Sequence, residues 1–162
     1  MRVKFRGLLD RARITMQIDV GFGDIVYPKS KAIDYPALLD LPIPHLKGYP
    51  VESVISEKFE AIVKLGLFNS RMKDFFDIWL LIRGFNIDKE KLNMAIKKTF
   101  NHRQTPLPID KPLFAEEIYS EQSDRQLLWQ AFLKKGEIKH VPFKLAAVAG
   151  EIESFLLKVL RI

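Results

Sequence analysis

Two groups of ionisable residues stand out by type and spacing. The first is Asp19, which ends the alternating run Ile14-Thr15-Met16-Gln17-Ile18-Asp19-Val20 and precedes Gly21-Phe22-Gly23-Asp24. Alternation at period two marks a strand with one apolar face, and the two glycines break regular pairing. A carboxylate held there can reach a metal ion or help activate a nucleophile. The same pattern also describes a solvent-facing acid on an amphipathic strand, and both readings stay open. Asp24 reads as a turn residue bonding its own backbone.

The second group spans Glu57-Lys58 and Arg71-Met72-Lys73-Asp74-Phe75-Phe76-Asp77. Asp74 and Asp77 lie three apart and share a helix face. If the helices carrying these runs pack antiparallel across residues 66–70, Lys58 approaches Asp74 or Asp77. One outcome is an ion-pair network that fixes helix register and needs no function. Arg71 and Lys73 weigh the other way. Cations in a first helical turn oppose the helix dipole, so they suit an anionic partner.

Other chemistries find no support in the spacing. The run from Ile18 to Asp24 lacks the third glycine of a dinucleotide fingerprint and opens into a proline-rich stretch rather than a helix. There is no G-x-x-x-x-G-K-S/T phosphate loop and no G-x-S-x-G nucleophile setting. His45, His102 and His140 are too widely spaced to pair as metal ligands and read as surface or capping residues. Thr99-Phe100-Asn101-His102-Arg103-Gln104-Thr105 is polar and basic at a helix end; it can touch phosphate, but a basic C-terminal cap is the simpler account.

The elements that must position these residues fall into two textures. Residues 1–27 read as strands, with 1–6 and 14–20 forming an antiparallel pair. Residues 28–50 carry Pro28, Pro36, Pro42, Pro44 and Pro50, which point to an irregular connector. Its apolar residues, Tyr35, Leu38, Leu39, Leu41, Ile43 and Leu46, suggest that it is packed. From Val51 the period becomes helical. Helices are expected over 51–64, 71–83, 89–100, 114–134 and 144–160, with Gly66 as a stop and Asn69 or Ser70 and Asp88 as caps. The fold class is therefore α+β, with residues 1–50 as a strand part and 51–162 as a helical domain.

Composition narrows the classes further. The chain has 162 residues, 48% hydrophobic and 28% charged, which excludes a disordered or collagen-like polypeptide. The net charge of +6 favours anionic partners such as nucleotides or RNA. Cysteine is absent, which excludes disulfides and fits a reducing cytoplasm. No apolar run approaches the roughly 20 residues that span a bilayer, so no membrane partner is expected. The basic start lacks the apolar stretch of a secretory leader.

Four segments together resemble the AbiEii/AbiGii nucleotidyltransferase toxin family of bacterial toxin–antitoxin and abortive-infection systems. They are the run from Ile18 to Asp24, Tyr35-Pro36-Ala37-Leu38-Leu39, the run from Tyr49 to Ala61 with its E-K-F-x-A pattern, and the run from Asn69 to Asp77 with its N-S-R-x-K-D-x-x-D pattern. The resemblance implies a fold similar to DNA polymerase β-type nucleotidyltransferases, in which a small mixed sheet carries metal-binding acids and a helical lobe closes over the nucleotide. It implies transfer of a nucleotide from an NTP to an RNA acceptor, a tRNA 3′ end in characterised relatives, with Mg²⁺ as cofactor and an antitoxin encoded nearby. On this template Asp19 is the strand acid that helps hold Mg²⁺ and orients or deprotonates the attacking hydroxyl. Lys58 meets the triphosphate, Asp74 orients Lys58 or the nucleotide, and Arg71, Lys73 and Asp77 support them.

The family pattern also begins with a Gly-Ser or Gly-Gly segment and an Asp-x-Asp strand, and none of these occurs here. The expectation is thus a C-terminal portion of such a protein that does not transfer nucleotides alone. One carboxylate cannot cage a hard cation that demands several oxygens. The reading from another class is a non-catalytic module for RNA or a partner protein, with Arg2, Lys4, Arg6, Arg11 and Arg13 as the basic surface. Exposed strand edges make a homodimer a further expectation.

Overall fold

In a computed structural model covering all 162 residues, strands β1 (Arg2–Leu9) and β2 (Ala12–Asp19) form one antiparallel ribbon, and β3 (Lys31–Asp34) and β4 (His45–Gly48) form another. Five helices follow: α1 (Val51–Leu65), α2 (Met72–Gly84), α3 (Lys89–His102), α4 (Asp124–Lys135) and α5 (Leu145–Leu160). The α+β class stands, as two small strand pairs and a helical lobe.

The β1–β2 register pairs Val3 with Ile18, Phe5 with Met16, and Arg2 with Asp19. Alternation therefore sorts the side chains as the sequence indicates, apolar on one face and polar on the other. The strands run longer than the sequence suggests and take in most of residues 7–13. The connector is not uniformly irregular. A two-stranded ribbon consists only of edge strands, and Pro36, Pro42 and Pro44 all fall in the loop between β3 and β4, so no ladder hydrogen bond is lost. Nor is the connector packed: Leu38, Leu39, Leu41 and Ile43 are exposed, because no element of the chain lies over them.

The buried core belongs to the helices. No side chain in residues 1–50 is buried. Ile55, Phe59 and Ile62 of α1 meet Phe75 and Ile78 of α2 and Leu92, Ile96 and Phe100 of α3, and α5 closes the cluster with Val148, Ile152 and Leu156. Each aliphatic or aromatic side chain buried this way contributes about 1.5–3 kcal/mol. Gly66 ends α1 at φ 48°, a left-handed conformation that disfavours a side chain, and its N–H bonds the Ile62 carbonyl. Asp88 caps α3 by accepting from the Lys91 N–H.

The expected helix over 114–134 is shorter. Ser123 caps its true start by accepting from the Gln126 N–H, and α4 begins at Asp124. Upstream, Phe114 leaves helical geometry to set its ring edge-on to Phe59 and Phe75, at centroid distances of 6.1 and 5.3 Å. Tertiary packing overrides the apolar period there.

Specific contacts tie the strand part to the lobe. Ser53 Oγ accepts from the Tyr27 N–H at 2.9 Å and donates to the Tyr27 carbonyl at 2.8 Å. Tyr49 donates its hydroxyl to Glu57, and Arg103 Nη2 donates to Asp24 at 3.2 Å.

Candidate functional site

The site forms where α1 turns back into α2. Gly66 stops α1, and a single tight turn, Gly66–Phe68, leads to Asn69. Asn69 is buried, and its Oδ1 accepts from the Arg71 N–H at 2.8 Å, which shapes the backbone entering α2. The cap expected at Asn69 or Ser70 falls instead on Arg71, which makes no side-chain capping bond, and Asn69 orders only the turn before it. Arg125 of α4 donates to the carbonyls of Leu67 and Asn69, which clamps the whole turn from outside.

This turn brings Lys58 between both acids of α2. Lys58 Nζ lies 2.9 Å from Asp74 Oδ1 and 2.7 Å from Asp77 Oδ2. The Asp74 side chain is 3% exposed and that of Lys58 21%, so the pair is largely shielded while the ammonium keeps one open side. Burial pushes the Lys58 pKa down, but hydrogen bonds from its ammonium to Asp74 and Asp77 outweigh it and hold the value above that of an ordinary lysine. Asp77 shows the converse. Burial raises it, yet Lys58 and Lys73 together hold it below the usual carboxylate range.

Two further cations border the pair. Lys73 Nζ donates to both oxygens of Asp77 at 2.8 and 2.6 Å, and Arg71 Nε approaches Asp74 Oδ2 to 3.0 Å. The Arg71 contact is electrostatic rather than directional, because Oδ2 has no hydrogen-bond partner of proper geometry. Both side chains are mostly exposed, at 59% for Arg71 and 70% for Lys73. They are the groups freest to swing toward a ligand.

These residues open on a cleft of about 450 Å³, lined by Lys58 of α1, by Ser70, Arg71, Met72, Lys73 and Asp74 at the start of α2, and by Leu128 and Phe132 of α4. That volume suits a small molecule. Three cations outnumber the two carboxylates, while the N–H groups of Arg71, Met72 and Asp74 at the start of α2 are already bonded within the chain. Phosphate therefore fits the cationic wall.

Lys58 also borders a second cleft of about 310 Å³, with Tyr49, Glu57 and Arg103. Arg103 Nη1 donates to Glu60 Oε2 at 2.8 Å, and Nη2 reaches Asp24 at 3.2 Å and Glu57 at 3.8 Å. Its pKa is pushed down by burial, but these carboxylates overcome that and raise it. Burial and the Glu57 carboxylate both push the Tyr49 hydroxyl well above its ordinary range. Arg103 caps the C-terminus of α3, as the sequence indicates, and its side chain also reaches across to Glu60 and Asp24; Asp24, expected as a turn residue bonding its own backbone, instead pairs with Arg103. The one available signal was a buried-face acid, Glu60, inside the apolar pattern of α1.

Asp19 lies elsewhere on the fold's connectivity. It sits at the end of the ribbon, where Arg2 donates to its two oxygens at 2.7 and 3.2 Å and Gln17 donates at 2.9 Å. The Arg2 guanidinium holds its pKa below the usual value. Lys58, Asp74, Asp77, Arg71 and Lys73 are thus brought together, and Asp19 is not bonded to any of them. No three His, Cys, Asp or Glu side chains converge as a metal-ligand group. The donors present do not fit a caged Mg²⁺.

Neither a curated protein nor a solved structure matches the chain. A family match, in contrast, extends over most of it. Residues 1–147 fit the family described as "Nucleotidyl transferase AbiEii toxin, Type IV TA system", a span that contains both ribbons, the Lys58–Asp74 pair and the cleft. The chain belongs to the AbiEii nucleotidyl transferase toxin family of type IV toxin–antitoxin systems.

Proposed function

We propose that the helical lobe binds the phosphates of an NTP in the cleft between α2 and α4, as part of a cytoplasmic nucleotidyltransferase toxin that acts on an RNA acceptor of the tRNA class. The observation that carries this reading is the half-open Lys58, fixed by Asp74 and Asp77 and bordered by Arg71 and Lys73 at a helix N-terminus. Lys58 is a point charge against the triphosphate, and Asp74 positions it. Arg71 and Lys73 exchange their carboxylate contacts for phosphate oxygens.

Asp19 is the strand carboxylate that would face a metal ion and the acceptor hydroxyl. Alone it supplies too few oxygens, so this chain binds nucleotide but does not transfer it without further acids from another segment or chain. Calorimetry with NTP, with and without Mg²⁺, tests the pocket. Wild-type protein is expected to bind and Lys58→Ala to lose most of the heat; equal binding by both would remove Lys58 from the site. Transfer of labelled NTP to total tRNA tests the rest, and turnover by this chain alone would overturn the incomplete-site reading.

One observation favours a second reading. Lys4, Arg6 and Arg13 face Gln17, Thr15 and Leu8 across the β1–β2 ladder and have no acidic partner there. A non-catalytic RNA-binding ribbon would use such free cations, and its affinity would fall steeply with salt. A salt-independent signal would count against it.

A further inference from the structure

The cleft has two unlike walls, and the function proposed above uses only one of them. Lys58, Arg71 and Lys73 account for phosphates. Leu128 and Phe132 of α4, one turn apart on one helix face, line the same cleft together with the buried Met72. An inorganic anion would gain nothing from that wall. A ligand that is anionic at one end and flat and apolar at the other would be held by both.

We propose that Phe132 and Leu128 form a stacking platform for the nucleobase of the NTP whose phosphates meet Lys58, Arg71 and Lys73. This rests on the phosphate reading of the same cleft and adds to it which end of the molecule binds where, and through what residues.

Three observations carry it. First, Phe132 is half-buried and rigid. Its ring is wedged between Phe76 and Trp129, each at a centroid distance of 5.7 Å, and Trp129 is pinned by its indole N–H donating to the Pro142 carbonyl at 3.1 Å. A ring fixed in this way loses little freedom when a base stacks on it. Second, Leu128, one turn before Phe132 on the same helix, keeps a partly exposed side chain that lines the cleft. Third, the platform is in register with the cations. Arg125, one turn before the platform begins, grips the carbonyls of Leu67 and Asn69 in the turn that carries Arg71. Arg125 thus ties the helix that carries the apolar residues to the turn that carries Arg71.

The wall also determines selectivity. Leu128, Phe132 and Met72 carry no amide or hydroxyl, so these three residues do not read the edge of the base. Recognition goes by stacked area, with purine nucleotides favoured over pyrimidines by a few-fold and ATP and GTP alike.

The test compares ATP with inorganic tripolyphosphate on the full chain, both without metal, by calorimetry. Two variants are used, Leu128→Ser at an exposed position and Phe132→Leu, which keeps most of the core volume. Circular dichroism verifies that each is folded. Wild-type protein is expected to bind ATP more tightly than tripolyphosphate. Each variant is expected to weaken ATP by about five- to tenfold, the low end of a single stacking contact, and to leave tripolyphosphate unchanged. Equal wild-type affinity for the two ligands, or equal losses for both in the variants, overturns the platform while the phosphate site survives. Absence of binding by either ligand to wild-type protein overturns the phosphate reading and the platform with it.

Discussion

Replacing Lys58 by methionine removes the charge that Asp74 faces while keeping most of the apolar stem. Asp74 then remains 3% exposed with Arg71 Nε at 3.0 Å as its nearest cation. Breaking a buried ion pair from one side costs about 3–5 kcal/mol, since the surviving charge is left uncompensated. Here the remaining Arg71 contact and the 21% exposure of Lys58 reduce the loss, to about 2–3 kcal/mol. In a domain of this size that corresponds to a fall in Tm of about 5–10 °C. Urea unfolding followed by tryptophan fluorescence measures it directly, because Trp79 and Trp129 are both buried in the lobe. The double variant Lys58→Met/Asp74→Leu replaces the pair by apolar groups and should recover to within about 1 kcal/mol of wild type. A single variant less than about 0.5 kcal/mol below wild type, or a double variant weaker than the single, would refute the claim that this pair fixes α1 against α2. The same measurement separates folding loss from binding loss when Lys58 variants are tested with nucleotide.

Arg103→Ala should lower stability by about 2–4 kcal/mol, because Glu60 is 1% exposed and would keep only its Thr105 contact and the 4.0 Å approach of Lys64, and Arg103→Lys should recover part of the loss by urea titration. Asp77 has its pKa lowered from 3.8, so its pairing stabilises the fold above about pH 4 and is lost as pH falls through the lowered value. Lys58 is raised from 10.5, so its contribution is complete below that pH and lost only as pH rises through the folded value. The stability gap between wild type and Asp77→Asn is therefore expected to be flat across neutral pH and to close in acid, as equilibrium unfolding at a series of pH values would reveal. Residues 51–162, expressed alone, should keep a cooperative thermal transition, since the 22-residue core cluster lies within them; a non-cooperative melt would argue that the ribbons contribute to the core.

The helical lobe was legible because its signals agree across levels. The apolar period, the stop at Gly66 and the cap at Asp88 all point to the same helices. Lys58 could be placed against Asp74 and Asp77 because a short connection between two amphipathic helices leaves few ways to pack them. Arg103 escaped because its partners Glu60, Glu57 and Asp24 lie far along the chain, and no local period encodes a contact of that range. Phe114 misled for the opposite reason. Its hydrophobicity fits a helix face, but the gap between Phe59 and Phe75 takes its ring before a helix can start. The connector misled because apolar composition indicates what a segment would bury, whereas burial needs a second surface, and none of the helices presents one to Leu38 or Leu41.

The distribution of burial bears on how the chemistry is divided. Phosphate recognition needs groups held within fractions of an ångström, and these sit on helices whose core side chains are fully buried. Lys58 cannot be a free cation waiting for a ligand, because two carboxylates already neutralise it. A phosphate arriving at this site would have to displace carboxylate contacts, and those of Asp77, the less enclosed of the two acids, are the more readily given up. Asp74, almost wholly enclosed, stays and keeps the ammonium in place. One acid is thus a fixed post and the other an exchangeable guard. The two acids of this helix face are shared among Lys58, Arg71 and Lys73, so a phosphate that engaged Lys58 would leave Asp74 beside Arg71 and Asp77 beside Lys73.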